Sequence, residues 1–284
     1  MQIDPTYTPR SMLFVSGEKP ERFPKALAAG ADLVCIDLED AVHPDRKASA
    51  RTAVLAWLQG LQAATRAGVG ANIALRINGL RTLDGLRDLH ALVDAGLRVD
   101  WLLLPKVEDA ADVQCVDAWV GTQIDNIAAL IETPLGIERA GHIANAGGRL
   151  GALMLGGADL ATELGAQFAW EALMPARGRL VNAARSAGLQ AWDVPHVNLD
   201  DLEELASETR RALALGFDCK TAIHPRQLPA IHAAHLPTAA ELAWAQLLVE
   251  AVPDGQHSGA FLYQGRMVDA PLLRKARRIV ESAR

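Results

Sequence analysis

DLVCIDLED, residues 32–40, is the stretch on which the fold turns. Leu33, Val34, Cys35 and Ile36 make an unbroken apolar run, and Asp37, Glu39 and Asp40 follow at once. A short run of this kind is the mark of a strand buried on both faces, as in a parallel sheet covered by helices. The pattern repeats on either side. Upstream lies SMLFVSG (11–17), then ERFPKALAAG, an amphipathic stretch ending in a glycine stop. Downstream come NIALRIN (72–78), WLLLPK (101–106), NIAALIET (126–133) and ALMLGG (152–157). QAWDVPHV (190–197) and CKTAIHP (219–225) are weaker seventh and eighth strands. Apolar spacing of three and four fills the gaps, as in the Ala-rich stretch from Lys47 to Arg66, LDGLRDLHALVDAG and DLEELASETRRALALG.

Eight strand–helix units predict an α/β fold, a closed (β/α)8 TIM barrel, which needs about 250 residues. The competitor is an open doubly wound sheet. No GxGxxG opens a strand-to-helix turn, which disfavours its dinucleotide-binding form. The barrel is assigned to residues 1–228. Residues 229–284 read as a C-terminal helical extension, a lid or oligomerisation segment: a helix near Thr238–Val252, the turn-rich PDGQHSG, then AFLYQGRMVDAP and a basic helix over Leu272–Arg284.

The chain has 284 residues, of which 22% are charged, close to the ~25% of an ordinary folded domain. A formal net charge of −6 lacks the basic footprint of a nucleic-acid binder. Cys35, Cys115 and Cys219 are odd in number and far apart, so neither a disulfide framework nor a thiolate zinc site is expected. No apolar run approaches ~18 residues, and the first ten residues do not read as a signal peptide. The expectation is a cytoplasmic protein without membrane or nucleic-acid partners.

Barrel enzymes carry their chemistry at the C-terminal ends of the strands. Those ends hold Asp37, Glu39 and Asp40, then Arg76, Lys106, Glu132, Asp159, Asp193, Lys220 and His224. Charges beside apolar strands are costly unless paired, metal-bound or solvated. Glu132 and Asp159 end adjacent strands, and two carboxylates without soft ligands suit Mg²⁺; alternatively, either acid caps the helix that follows. Arg76 either grips a carboxylate bidentately or forms a salt bridge to the acids of DLED. Asp37 and Glu39 alternate by two and share a face, where they hold metal-bound waters, orient Arg76 or serve structure alone. Lys106 and Lys220 read as ion-pair partners, or as Schiff-base lysines. His224 either shuttles protons or closes its loop. The other histidines show no ligand spacing beyond the loose His232/His235 pair.

Taken together these stretches resemble the HpcH/HpaI aldolase and citrate lyase superfamily, most of all its citrate lyase β-subunit-like (CitE-like) branch. The matching segments are RSMLFVSGEKPERFPKAL, ADLVCIDLEDAV, LRINGL, LLLPKVED, ALIETPLGI, LGGADLATELG, KTAIHPRQL and GRMVDAPLLRKARRI, from Arg10 to the C-terminus. The resemblance implies a Mg²⁺-dependent barrel enzyme, with Mn²⁺ a possible substitute, that cleaves or forms a C–C bond in a 3-hydroxyacyl-CoA. It implies Mg²⁺ on Glu132 and Asp159, and a 2-oxo acid held by Arg76, with Glu132 and Asp193 among the substrate contacts. It implies CoA phosphates near Arg22 and Lys25. Asp269, in VDAP, is implied to complete a neighbouring subunit's site, which suggests a homotrimer or a multiple of one. Three segments depart from the usual pattern: VSGEKPER for VPGDRPER, GGADLA for GTDDLA, and WDVPHVNLDDLEEL in place of a VDFRD-like run.

The implied reaction divides citryl-, malyl- or citramalyl-CoA into acetyl-CoA and oxaloacetate, glyoxylate or pyruvate. Arg76 would hold the carboxylate and Asp269 would exchange the proton. The alternatives are a class II aldolase acting on free 4-hydroxy-2-oxo acids without CoA, a citrate lyase β subunit dependent on an acyl-carrier partner, and a Schiff-base aldolase.

Overall fold

The structure is a computed structural model and describes residues 8–64, 72–252, 260–263 and 265–282. Strands β1 (Ser11–Ser16), β2 (Leu33–Asp37), β3 (Asn72–Arg76), β4 (Val99–Leu104), β5 (Ile124–Ile131), β6 (Leu150–Leu155), β7 (Gln190–Asp193) and β8 (Cys219–Ala222) are parallel and pair in chain order. β1 then pairs with β8 and closes the barrel. The expected (β/α)8 architecture is present. Helices α1 (Phe23–Leu27), α2 (Lys47–Ala64), α3 (Leu83–Asp94) and α4 (Ala110–Val120) follow the first four strands. α5 (Pro134–Glu138) and α6 (Ala140–Ala144) follow β5; α7 (Gly157–Leu164) and α8 (Trp170–Ser186) follow β6. α9 (Leu202–Leu215) and α10 (Leu228–His235) complete the ring. Residues 65 and 66, expected to end the Ala-rich helix, lie outside the described residues. Among the described residues no helix is long and apolar enough to cross a membrane.

The strands' two-residue period sorts their side chains into two apolar layers. Met12, Leu33, Cys35, Ala74, Trp101, Leu103, Ala128, Leu130, Ala152, Met154, Trp192 and Cys219 form one buried cluster, the filling of the barrel. Trp101 and Trp192 meet there with ring centroids 4.6 Å apart. The alternate residues, such as Leu13, Val34, Ile36, Leu75, Leu102, Ile131 and Leu155, belong to a second cluster that packs against the helices. Continuing the inner rows upward from Cys35, Ala74 and Leu130 brings Asp37, Arg76 and Glu132 to the top of the barrel interior.

The same alternation sends Asp193 the other way. Trp192 faces the barrel interior, so Asp193 faces the helix layer, where it is fully buried. Its carboxylate accepts from Arg177 Nε of α8 at 2.9 Å and from Lys220 Nζ at 2.7 Å. Lys220 also lies 3.4 Å from Glu208 of α9, which contacts His196 Nδ1 at 3.0 Å. Burial alone would raise the pKa of Asp193, but Lys220 and Arg177 more than offset it and hold the carboxyl below its usual value. This is an inter-layer ion network away from the inner rim, and it accounts for Lys220 as an ion-pair partner.

The described residues divide into two compact units, the second beginning at His232. In that unit α11 (Ala239–Ala251) packs on α12 (Ala270–Ser282) around Ala245, Leu248, Val268 and Ala276. AFLYQGRMVDAP adds something the sequence reading had not assigned: antiparallel strands β9 (Phe261–Tyr263) and β10 (Arg266–Val268). Strands of three residues are too short to show a two-residue period. The PDGQHSG segment lies outside the described residues.

Removing one partner from a buried ion pair leaves a charge uncompensated, at a cost of about 3–5 kcal/mol. Lys220→Met leaves Asp193 with Arg177 alone. The expected result is a fall in melting temperature on the order of 10 °C. An unchanged melting temperature would show that the network contributes nothing to stability.

Candidate metal and substrate site at the barrel rim

Asp37 and Arg76 are register neighbours on β2 and β3. The guanidinium meets the carboxylate as a fork: Nε donates to Oδ1 at 2.7 Å and Nη2 to Oδ2 at 2.6 Å. The same two oxygens accept the backbone N–H of Glu39 at 2.8 Å and of Ala41 at 3.1 Å. Asp37 is thereby engaged at both oxygens, by the strand beside it and by the loop after it. Arg76 Nη1 lies 2.9 Å from Glu39 Oε2 and 3.5 Å from Asp40 Oδ2, and the guanidinium packs over the Phe14 ring at 5.1 Å. The expected salt bridge to the DLED acids is therefore formed, with all three of them. Burial would weaken the guanidinium's hold on its proton, but Asp37 and then Glu39 more than offset this and raise its pKa.

Glu132 follows β5 and Asp159 sits in the first turn of α7. Neither acid caps a helix. Thr133 caps α5 by accepting the Gly136 N–H at 3.0 Å, and α7 has Gly156 at its N-cap and so no side-chain cap. Both carboxylates turn to Lys106 instead. Its backbone N–H donates to Glu132 Oε1 at 2.8 Å, and its Nζ lies 2.8 Å from Asp159 Oδ2 and 3.4 Å from Glu39 Oε1. Lys106 has φ +54°, the only positive value at a non-glycine among the described residues. That left-handed geometry costs roughly 1–2 kcal/mol and turns the amide toward Glu132. Gly156 is also needed: a Cβ there would run into the Glu132 side chain.

These acids are held at an electrostatic cost. Burial pushes Glu39 from its usual 4.5 up to about 8, with Arg76 opposing and Glu132 adding to the rise. Burial likewise pushes Glu132 up to about 7; Arg76 and the Lys106 amide oppose it and Asp159 reinforces it. Glu39 Oε2 is buried and, despite its closeness to Nη1, makes no hydrogen bond. Among the described residues no group of three or more His, Cys, Asp or Glu forms a metal cage. Two carboxylates beside buried, charge-starved oxygens fit Mg²⁺, a hard cation that takes one or two carboxylates and keeps several waters. Glu132 and Asp159 are the pair with that chemistry.

The other expected residues are placed elsewhere. Asp193 is in the inter-layer network, with both oxygens occupied. Arg22 and Lys25 are exposed after β1 and make no ion pair with the cluster. Asp269 is exposed in the second unit and caps α12, accepting the Leu272 N–H at 3.0 Å. His224 caps the 3-10 turn Pro225–Gln227, accepting the Arg226 N–H at 3.1 Å, which agrees with a loop-closing role. The backbone of Lys106 and the bare Cα of Gly156 were beyond sequence reasoning. The Gly-Gly pair that opens α7 was the one available signal for the second.

A pocket of about 220 Å³ opens beside Lys106 and Thr133, lined also by Leu80, Arg81, Val107 and Glu163.

Comparison with known proteins places the chain in a family. The HpcH/HpaI aldolase/citrate lyase family profile matches residues 10–225. The citrate lyase subunit beta of Leuconostoc mesenteroides subsp. cremoris is 35% identical over 289 residues, covering 96% of this chain and 93% of that protein. The L-malyl-CoA/beta-methylmalyl-CoA lyase of Cereibacter sphaeroides is 32% identical over 305 residues, covering 96% and 94%. The crystal structure of CitE from Mycobacterium tuberculosis in complex with magnesium, acetoacetate and coenzyme A superimposes with a TM-score of 0.84 at 34% identity, covering 99% of each chain.

Glu39 makes stability depend on pH. Between the usual 4.5 and about 8 the folded state keeps a proton that the unfolded chain has released. Stability therefore falls as pH rises through that window. Melting curves recorded in chelator should show this fall, and Glu39→Gln should flatten it most between pH 7 and 8, above the reach of Glu132. An identical slope in the variant would show that the cost lies elsewhere.

Proposed function

This chain belongs to the HpcH/HpaI aldolase/citrate lyase family, and on that premise we propose that it is a magnesium-dependent carbon–carbon lyase of CoA thioesters. Its substrate on this reading is a 3-hydroxyacyl-CoA of the citryl, malyl or citramalyl type, cleaved to acetyl-CoA and a 2-oxo acid, or formed from them. The carrying observation is the Asp37–Arg76 fork set beside the Glu132 and Asp159 carboxylates. That is one cationic grip for a carboxylate next to one divalent-cation site. The CitE complex with magnesium, acetoacetate and coenzyme A supports the same combination of ligands.

Glu132 and Asp159 would hold the metal. Bound there, Mg²⁺ supplies Lewis-acid polarisation of the oxygens on the forming 2-oxo acid. Arg76, fixed in its plane by Asp37, takes the oxo-acid carboxylate through its Nη1 side, exchanging a poorly aligned contact with Glu39 for a charge-assisted hydrogen bond. The hydroxyl proton leaves as the new carbonyl forms, and the electrons of the broken C–C bond pass into the thioester enolate. That hydroxyl proton passes to the Asp269 carboxylate of a neighbouring copy in a trimer, the group we assign to the exchange, which then returns it to the enolate carbon. Arg22 and Lys25, basic and exposed after β1, are assigned to the CoA phosphates, as the resemblance implies.

A second reading is favoured by the 35% identity to a citrate lyase subunit: the barrel acts on a thioester presented by an acyl-carrier protein. One experiment separates the two. Purified protein is incubated with Mg²⁺ and each of the citryl, malyl and citramalyl thioesters, on CoA and on an acyl-carrier protein, with and without EDTA, and the 2-oxo acid is measured. Release from one thioester, abolished by EDTA, is expected. Release only when the acyl group rides on a carrier would establish the second reading. Full turnover in EDTA would overturn the metal assignment.

Asp269→Asn tests the proton donor. The expected loss in kcat is roughly 10²–10⁴-fold, with oxo-acid binding unchanged. Unchanged turnover would remove Asp269 from the reaction.

A further inference from the structure

Lys106 touches both carboxylates assigned to the metal, and in two different ways. Its backbone amide holds Glu132 Oε1 at 2.8 Å, while its ammonium lies 2.8 Å from Asp159 Oδ2. The ammonium has a second acid within reach, Glu39 Oε1 at 3.4 Å. Its side chain is 44% exposed, so the charged end is free to move between the two. Lys106 makes the ion pairs that one of the two sequence readings expected, and one of the acids it pairs with is assigned to the metal. Its side chain occupies Asp159, and its main chain orients Glu132 whatever the side chain does.

We infer that Lys106 is a built-in competitor for the metal: its ammonium neutralises Asp159 until a divalent cation arrives, then withdraws to Glu39. The inference rests on the metal reading given under the proposed function. Its physical basis is electrostatic: an ammonium 2.8 Å from the Asp159 carboxylate repels an incoming divalent cation and already balances the charge that would hold it. The arrangement keeps an acid-rich rim charge-balanced when unloaded, at the expense of metal affinity. It also divides the work within one residue. The strained backbone keeps Glu132 in place during the exchange, and only a flexible side chain has to move.

The test is Mn²⁺ binding without substrate, followed by electron paramagnetic resonance of the free ion. Lys106→Met removes the charge and keeps the length. It should bind Mn²⁺ about fivefold more tightly than the wild type, the scale of a partly exposed ion pair. Lys106→Arg, which keeps the charge, should stay near the wild-type affinity. If the methionine variant does not fold, Lys106→Gly, suited to the left-handed backbone, replaces it with the same expectation. Affinity unchanged or weakened in the uncharged variant overturns the inference and leaves the metal reading standing. Absence of Mn²⁺ binding in the wild type overturns both.

Discussion

Asp37 and Arg76 meet through two hydrogen bonds of 2.7 and 2.6 Å at the mouth of the barrel, with both side chains nearly out of water. A buried pair of this kind is costly to break, because either partner alone would be an uncompensated charge. Asp37 also accepts two backbone amides of the loop after β2, so the fork fixes the path of Glu39, Asp40 and Ala41. Arg76 is held flat between that loop and the Phe14 ring. Its remaining edge then points at Glu39, and the rest of the rim is arranged around that direction.

Charge at the rim follows from this pair. Five acids, Asp37, Glu39, Asp40, Glu132 and Asp159, face two cations, Arg76 and Lys106. Burial leaves Glu39 and Glu132 reluctant to ionise, and Arg76, already engaged by Asp37, only partly offsets it. A rim with this imbalance favours further positive charge, and a divalent ion meets that need. Magnesium dependence and a strained lysine thus answer the same electrostatic shortfall.

Much of this was legible in the residues. Short apolar runs at β1 to β6 announced a parallel sheet, and the acids and bases at their ends marked the rim. Parity explains both a success and a failure at those ends. Asp37, Arg76 and Glu132 continue the inward rows of Cys35, Ala74 and Leu130, whereas Asp193 is one residue out of step, beside the inward Trp192. β7 is only four residues long, too short for its pattern to declare which face is inside. The capping alternatives for Glu132 and Asp159 turned on where each helix begins: the Thr133 hydroxyl caps α5, and α7 has the side-chain-less Gly156 at its N-cap.

The sequence by itself determined the strand–helix alternation, the barrel and the set of charged groups that end its strands. Those properties are local: they depend on periodicity and on which residue follows a strand. Only the tertiary structure decided which of those charges meet. The Arg76 fork, the lysine bridging Asp159 and Glu39, and the diversion of Asp193 to Arg177 and Lys220 all join residues far apart in the chain. Their pairing depends on barrel closure, strand register and one left-handed backbone angle, and none of these leaves a mark in composition or spacing.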